Sequence, residues 1–461
     1  MRSVTLFATA LVLASSGVAD AFSLNEAVKL TLEKNLSLKD AQLKKASSEE
    51  KVSEVVAGAF PQLSLSNSSI AFNMMDSSGM SSLALMGGMG GLGGLGGLGG
   101  LGGLSGLGSG GGGMSLMQNS VSLSQVLFDG FRTRDGLALA EIGRKSADWD
   151  VYNARQAALS DVANAYLNAL RMDGLLQVAL AGEKAAQGHL DQALSRQKAG
   201  VGTKFEVLQA QTQLANVRGQ VSKAKNGATL TKLALFNTIN IPPRKDALEN
   251  VQPLATVGFD LKQVPQAVQN RPELKQLFLK QDVDQKTLDL NQRAYLPTVA
   301  GMGSYSMQGT GTGRYWMVGL TTQWNLFDGG KTRAKVNQSK LDLQRDETLI
   351  DQTQNALALD VEKSLRDRDE AKERLAIADE GLSFSKEAVR LAEARYTAGM
   401  GTSLEVIDAQ SQQTQTEQNR IGAYYDLQAA EVKLAKSLGI DLRDYLSNLS
   451  NVSAPKKGNA R

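Results

Sequence analysis

The chain contains no cysteine, which excludes disulfide bonds, thiolate metal sites, cysteine nucleophiles and a lipid anchor on an N-terminal cysteine. Its single histidine, His189, has no second type of metal ligand nearby, so we expect a surface side chain and not part of a zinc site. Neither sign of charge is in clear excess, because 50 basic residues are balanced by 47 acidic ones. A nucleic-acid partner, which requires a clustered basic surplus, is therefore not indicated.

Proline and aromatic residues are also scarce, at eight prolines and 5% Phe, Trp and Tyr. This scarcity, together with abundant Ala, Leu, Gln, Lys and Glu, is typical of long helices. Most of the excess among the 46 glycines lies in one GGLGGL tract between Gly79 and Gly113. No Lys-Ser or Lys-Thr follows the tract, so it is not a phosphate-binding loop. We interpret residues 74–113 as a low-complexity loop insertion.

One apolar run stands at the N-terminus, from Val4 to Ala14, and Arg2 is the only charged residue before Asp20. The run is too short for a bilayer-spanning helix, which needs about 20 residues. Residues 19–21 read A-D-A, the small-residue form of a signal-peptidase site. We therefore predict a cleaved secretory signal over residues 1–21.

An internal repeat organises the remaining chain. The F-D-G at residues 128–130 recurs at 327–329, and the A-G-V-G-T at 199–203 recurs as A-G-M-G-T at 398–402. Both recurrences are shifted by 199 residues. Two matched points at a constant shift, with further matches after the second, indicate a duplicated unit.

The earlier part of each copy is shifted by 236 residues, as in the pair Pro61 and Pro297. The difference between the shifts is accounted for by the glycine-rich insertion in the first copy. We predict that repeat 1 covers residues 22–250 and repeat 2 covers residues 256–446, followed by a C-terminal tail over residues 447–461.

Each copy begins with a predicted helix, from Ser23 to about Ala59 in repeat 1 and from Asp260 to about Ala294 in repeat 2. Prolines that follow would end both helices. In each copy, a hairpin of two strands is predicted next. Residues 121–127 in repeat 1 and residues 316–324 in repeat 2 place apolar side chains mainly on one parity, as in a strand. Asp129 and Asp328 precede a glycine where strand becomes helix, and we expect them to cap these joints.

A long helix follows each joint. In repeat 1 it is expected from about residue 132 to 198, roughly 100 Å if unbroken. Gly200 and Gly399 supply the left-handed residue that ends the long helix. Thr203 and Thr402, each three residues before a glutamate, begin a return helix of some 35 residues through a capping box. Each copy therefore ends in a tight helical hairpin, here called tip 1 (residues 199–203) and tip 2 (residues 398–402).

These features together resemble the TolC family of outer-membrane efflux and secretion channels. The resemblance rests on the S-L-N-E-A-V opening, the two F-D-G joints and the two A-G-x-G-T tips, in the same order in both copies. It implies a mainly α protein with a small β part that forms a homotrimer in the Gram-negative outer membrane. Each protomer would add four strands to a shared twelve-stranded β-barrel among membrane lipids, and its helices would join a periplasmic α-barrel.

The resemblance also implies partners and site residues. The tips would dock onto a periplasmic adaptor that links them to an inner-membrane pump. An acidic pair at the pore entrance would correspond to Glu405 and Asp408, although Glu405 equally suits a purely structural role in its capping box. The implied adaptor-contact residues are Gly200, Val201, Gly202, Thr203, Gly399, Met400, Gly401 and Thr402.

Two tryptophans of the fourth strand are candidate membrane anchors. Trp316 and Trp324 share one parity and lie eight residues apart. At about 3.3 Å per residue their separation is roughly 26 Å, close to the apolar band of membrane strands that lies between two aromatic girdles.

The resulting hypothesis is a passive export duct for efflux or type I secretion, without catalysis, cofactor or metal. A periplasmic coiled-coil scaffold or adaptor that does not span the membrane is the alternative. An enzyme is disfavoured, because no trio of nucleophile, base and orienting residue can be assembled. Whether the cargo is a drug, a protein or a metal is not encoded in these motifs.

Overall fold

The computed structural model describes residues 21–73, 113–244, 246–251, 253–254, 256–308 and 313–447. The predicted signal peptide, the glycine-rich insertion and the C-terminal tail therefore lie outside the described residues, except for one boundary residue each. Within these described ranges, no helix has both the length and the apolar character needed to cross a membrane.

The chain divides into two compact units. The helical unit comprises Met1–Glu49, Ile142–Asp282 and Leu343–Arg461, and the sheet unit comprises Glu50–Glu141 and Val283–Asp342. Each unit therefore combines segments from both halves of the sequence.

The helices of the first half are α1 (Leu24–Lys34), α2 (Leu36–Ala57), α3 (Arg132–Lys198) and α4 (Lys204–Ile239). Those of the second half are α5 (Val264–Asn270), α6 (Pro272–Arg293), α7 (Lys331–Thr397), α8 (Ser403–Ser437) and α9 (Leu442–Ser447), with a single 3-10 turn at Leu261–Gln263 before α5. The long helices α3 and α7 have 67 residues each. The predicted length of the helix after the first joint is thus confirmed.

The opening helix of each half is broken, contrary to the prediction of one continuous helix. The break falls at Asn35 in the first half and at Arg271 in the second, positions that are 236 residues apart. The Asn35 side-chain amide donates to the carbonyl of Thr238 at 3.1 Å, and the Arg271 guanidinium donates to the carbonyl of Ser437 at 2.7 Å. Each break therefore supplies a donor to the last turn of the return helix in its own half, where carbonyls lack intrahelical partners.

The main core of the helical unit surrounds Tyr166, which is fully buried. Its hydroxyl lies 2.7 Å from the carbonyl oxygens of both Phe22 and Glu249, which share its single donor proton. The backbone N–H of Phe22 donates to the carbonyl of Ala247 at 2.8 Å. The cluster thus connects α3 to the first residues after the predicted signal and to the segment that follows α4.

The sheet unit contains four antiparallel strands in the order β1-β2-β3-β4, so β1 and β4 form the edges. Their bounds are β1 (Gln62–Asn73), β2 (Gly113–Phe128), β3 (Thr298–Gln308) and β4 (Arg314–Gln323). Arg314 is the only charged residue in these four strands.

The two faces of the sheet differ in chemistry. In the register, Leu65 lies opposite Val121, Val121 opposite Tyr305, and Tyr305 opposite Trp316, so these side chains share one face. This apolar face is exposed. The opposite face carries hydroxyl groups, and two serine pairs contact across β1 and β2. The serines of this face are Ser64, Ser66, Ser68, Ser120, Ser122, Ser124, Ser304 and Ser306.

The cap at Arg271 yields a stability prediction. Arg271 has a side chain only 9% exposed and also pairs with Glu273 and Asp360. We expect Arg271→Ala to lower the free energy of unfolding by about 2 kcal/mol, because charged hydrogen bonds to buried carbonyls are lost.

The matched control is Arg366→Ala, since Arg366 is 72% exposed and pairs only with Glu362 one turn away among the described residues. Its expected cost is below about 0.5 kcal/mol. Thermal unfolding of both variants in the same detergent tests the difference, and equal melting temperatures would show that the break needs no cap.

Candidate functional site at the hairpin tips

The two tips have the same backbone geometry. Gly200 and Gly399 adopt positive φ angles of 78° and 75°, which confirms the predicted left-handed residues. The N–H of Val201 donates to the carbonyl of Arg196, and the N–H of Met400 donates to that of Arg395. This is a Schellman ending, in which the free carbonyls of the last helical turn are satisfied by the turn itself.

The second glycine of each tip is required by a close backbone approach. A Cβ atom on Gly202 would lie 2.9 Å from the nitrogen of Gln197, and one on Gly401 would lie 3.1 Å from the nitrogen of Tyr396. Any side chain at these positions would therefore push the turn away from the helix that precedes it. The sharpness of both tips depends on both glycines.

Apolar side chains are exposed at both tips. Val201 and Phe205 extend into solvent at tip 1, and Met400 and Leu404 do so at tip 2. Thr203 and Thr402 are also exposed, and each hydroxyl accepts the N–H of the glutamate three residues later. The predicted contact residues thus form two exposed apolar ends with a polar border.

The predicted acidic pair lies at the start of α8. Glu405 and Asp408 are both exposed, one helical turn apart. The Glu405 carboxylate lies 3.7 Å from Nε of Arg395, so its charge is partly balanced. No ion pair holds Asp408 within the described part of the chain. Its equivalent position in the first half is Gln209, so the two tips carry different charge.

A buried contact between the two hairpins, missed by the sequence analysis, centres on Tyr396. Its hydroxyl donates to the Glu206 carboxylate at 3.3 Å, and the guanidinium of Arg196 donates to its backbone carbonyl at 3.0 Å while lying 4.7 Å from the centre of its ring. Burial, followed by the charge of Glu206, raises the pKa of Tyr396, so the hydroxyl stays protonated and available as a donor. We call this contact the Tyr396 latch.

The expectation that His189 is a surface residue is wrong. The side chain is 5% exposed, and its Nε2 lies 2.9 Å from the Ser403 hydroxyl at the first residue of α8. Its ring centre is 5.2 Å from that of Tyr396. Burial lowers the pKa of His189, while the charges of Glu393 and Glu206 oppose the shift. The histidine is hidden because a second hairpin, distant in sequence, packs over it.

At the 199-residue shift these positions have different residues in the two halves. His189 corresponds to Ala388, and Ser403 corresponds to Lys204. Tyr396 corresponds to Gln197. The contact between the hairpins therefore combines His189, Ser403 and Tyr396, which differ between the copies, with Arg196 and Glu206, which recur as Arg395 and Glu405.

The two predicted anchors lie in the sheet unit. Trp316 is exposed on the apolar face of β4. Trp324 is exposed one residue beyond the end of β4 at Gln323, so the strand ends one residue earlier than predicted. Its indole N–H donates to the carbonyl of Tyr295 at 2.9 Å.

A family model described as "Outer membrane efflux protein" matches residues 27–240 and 264–440. These two segments cover most of the chain and fall one in each predicted repeat.

Similar proteins are found by sequence and by fold. The outer membrane efflux protein BepC of Brucella suis is 23% identical over 340 residues, covering 71% of this chain and 73% of that protein. The outer membrane protein TolC of Vibrio cholerae is 23% identical over 338 residues, covering 70% and 77%. The crystal structure of CusC aligns with a TM-score of 0.74 at 15% identity, covering 90% of this chain and 92% of that one.

The buried histidine predicts a pH effect on the contact between the hairpins. Because burial lowers the pKa of His189, its contribution to stability is complete above the ordinary value near 6.5 and is lost as the pH falls below it. Acidification from pH 7.5 to 5.5 should therefore lower the melting temperature of the wild type by about 2 °C more than that of His189→Gln.

Glutamine serves as the matched variant because it can keep the hydrogen bond to Ser403 without titrating. Differential scanning calorimetry at both pH values tests this effect. An equal fall in the two proteins would assign the pH dependence to other groups.

Proposed function

The chain belongs to the outer membrane efflux protein family, and we propose that it acts as a homotrimeric passive duct that an inner-membrane pump uses through a periplasmic adaptor. Membership confirms the resemblance to TolC-like channels drawn from the two joints and two tips. The protein is an export channel of the outer membrane. The observation that carries the proposed mechanism is that one chain has both an exposed apolar sheet face and exposed hairpin tips.

The apolar face of the sheet supports a position in lipid. Trp316, Val318 and Leu320 are exposed side by side on β4, which is unfavourable in water. The opposite, serine-bearing face suits contact with water. Since β1 and β4 are edge strands and membrane barrels need about eight strands or more, we propose that three protomers close one shared twelve-stranded barrel.

The tips support docking of the adaptor. Val201 and Met400 are exposed at the apex of each turn, and the glycines beside them keep the backbone close enough to present a narrow end. We propose that the eight residues Gly200 to Thr203 and Gly399 to Thr402 contact the adaptor, and that apolar burial contributes to this contact.

The acidic residues of α8 support a selective entrance. Three copies of Asp408 around a threefold axis would form a ring of carboxylates, which favours cations. Asp408 is the stronger candidate for this role, since the carboxylate of Glu405 is partly neutralised by Arg395. The charge of the ring would favour the passage of cations. The Tyr396 latch would hold the two tips together until a partner binds.

A periplasmic scaffold that never enters a membrane is disfavoured by the family assignment. Such a protein would also have no use for an exposed apolar sheet face. The cargo is either an efflux substrate or a secreted protein, because the pump that supplies the energy also selects what enters the channel.

The entrance is tested by single-channel recording in planar bilayers. We expect Glu405→Ala, Asp408→Ala to reduce the cation-to-anion permeability ratio at least about threefold, because the ring loses its charge. The control is Glu373→Ala, Glu380→Ala, which removes the same charge from exposed sites on α7. Unchanged selectivity in the first variant would discard the entrance and retain the channel, whereas no current from a folded trimer would contradict the proposed function.

The latch is tested by Tyr396→Phe, which removes only the hydroxyl that donates to Glu206. We expect the mean conductance to rise about twofold or more, because one hydrogen bond of about 1.5 kcal/mol to a charged group no longer opposes separation of the hairpins. Tyr424→Phe is the control, since no described residue hydrogen-bonds its hydroxyl. Equal conductance in the two variants would show that the latch does not limit opening.

A further inference from the structure

Both long helices begin with cations in their first turn. Arg132 and Arg134 open α3, and Lys331 and Arg333 open α7. All four are exposed, and none forms an ion pair with any residue that the structure describes. All four belong to the sheet unit.

This placement is electrostatically unfavourable for the isolated chain. The N-terminus of a helix carries the positive end of its dipole, where anions are stabilised and cations are not. The one acid in the first turn of α3, Asp135, is buried and pairs with Arg293 at 2.7 Å, and α7 has no acid in its first turn. Asp129 and Asp328 cap the two helix starts by accepting first-turn N–H groups, but neither forms an ion pair with the four cations, whose charge is left for an external anion.

An exposed aromatic band adjoins the cations. The start of β1, the end of β2, the start of β3 and the end of β4 lie at one end of the antiparallel strands, and this end of the sheet is the edge that leads into α3 and α7. The ends of β2 and β4 are two strand spacings, about 10 Å, apart. Phe60, Tyr295 and Trp324 are exposed at this edge, and Phe327 is 90% exposed. Rings of this kind concentrate where a membrane meets water.

Phe131 adds an independent observation. It is one of two described residues other than glycine with a positive φ, at 66°, a conformation that side chains other than glycine rarely adopt. The equivalent position in the second half is Gly330, with φ 88°. The ring of Phe131 is 48% exposed, 5.5 Å from that of Phe128 and 5.3 Å from the Arg293 guanidinium. An exposed ring in a strained position is expected where the ring itself has a role.

We propose that this edge binds anionic phospholipid headgroups. The aromatic rings lie at the interfacial level of the bilayer, and the four cations bind lipid phosphates at the start of α3 and α7. Beyond the rings, the sheet continues into its exposed apolar face. That face would contact the acyl chains of the lipids, and the cations would contact their headgroups. The inference rests on the proposed function, because the sheet must lie in a membrane for lipid to reach the edge.

The test measures lipid preference in the full-length trimer in an uncharged detergent. Brominated phosphatidylglycerol or brominated phosphatidylcholine is titrated in, and quenching of tryptophan fluorescence reports lipid next to the sheet. We expect half-maximal quenching at a mole fraction at least about fivefold lower for phosphatidylglycerol, because lipid phosphates without a compensating choline pair with the cations.

The test variant is Arg132→Gln, Arg134→Gln, Lys331→Gln, Arg333→Gln, in which the preference should vanish. The matched control is Lys223→Gln, Lys225→Gln, Lys372→Gln, Lys386→Gln, which removes the same charge from exposed helical sites and should keep the preference. An equal preference in both variants overturns the proposal.

Two further arms keep the result decisive. If the quadruple variant misfolds, the wild type itself is tested with salt: the preference should fall at least about threefold from 0.05 to 0.5 M, and a salt-independent preference overturns the proposal. Inorganic phosphate at the same concentration as the lipid should not compete, and loss of the preference to free phosphate would also overturn it. Currents recorded in pure phosphatidylcholine bilayers separate the two proposals. Absence of current with a persistent lipid preference would contradict only the channel, and current without a lipid preference would contradict only the lipid site.

Discussion

The helical unit depends on one buried cluster around Tyr166. Long helices this rich in polar residues have little apolar surface with which to position one another, and α3 and α7 bury only scattered apolar side chains over much of their length. At Tyr166, α3 meets α1, α4, α8 and α9 in a continuous apolar cluster. The carbonyls of Phe22 and Glu249 share the hydroxyl proton, and the carbonyl of Phe22 also accepts the N–H of Glu249, so two extended segments enter the core with these groups hydrogen-bonded. The helical hairpins extend from this buried cluster.

The parts of the fold that could be predicted are those determined by nearby residues. Positive φ at Gly200 and Gly399, and the capping of the joints by Asp129 and Asp328, follow from short motifs. The parts that could not be predicted depend on contacts across some two hundred residues. The breaks in the opening helices have no proline or glycine at Asn35 or Arg271 to announce them, because each is stabilised by a return helix encoded much later. The burial of His189 was missed for the same reason.

The two halves share a scaffold but not a chemistry. The motifs of the joints and turns recur at the 199-residue shift, because both copies must make the same hairpin. Tyr396, Asp408 and Ser403 have no chemical equivalent in the first half, and Phe131 and His189 have none in the second. Two copies can keep the same turns while other side chains diverge, as Tyr396, Asp408 and Ser403 near tip 2 and Phe131 at the first joint show.

The distribution of charge supports assigning selectivity to the tips and not to the sheet. The four strands contain one charged residue, Arg314, at the first position of β4, and the serine-bearing face has hydroxyls that satisfy one another across β1 and β2. Neutral hydroxyls hydrate a passage but discriminate weakly between ions, because they carry no net charge. Asp408 at the start of α8 is a full charge without an ion-pair partner among the described residues. The proposed duct would therefore be permissive at its sheet and selective at its tips, so that one channel could serve any cargo that a pump presents.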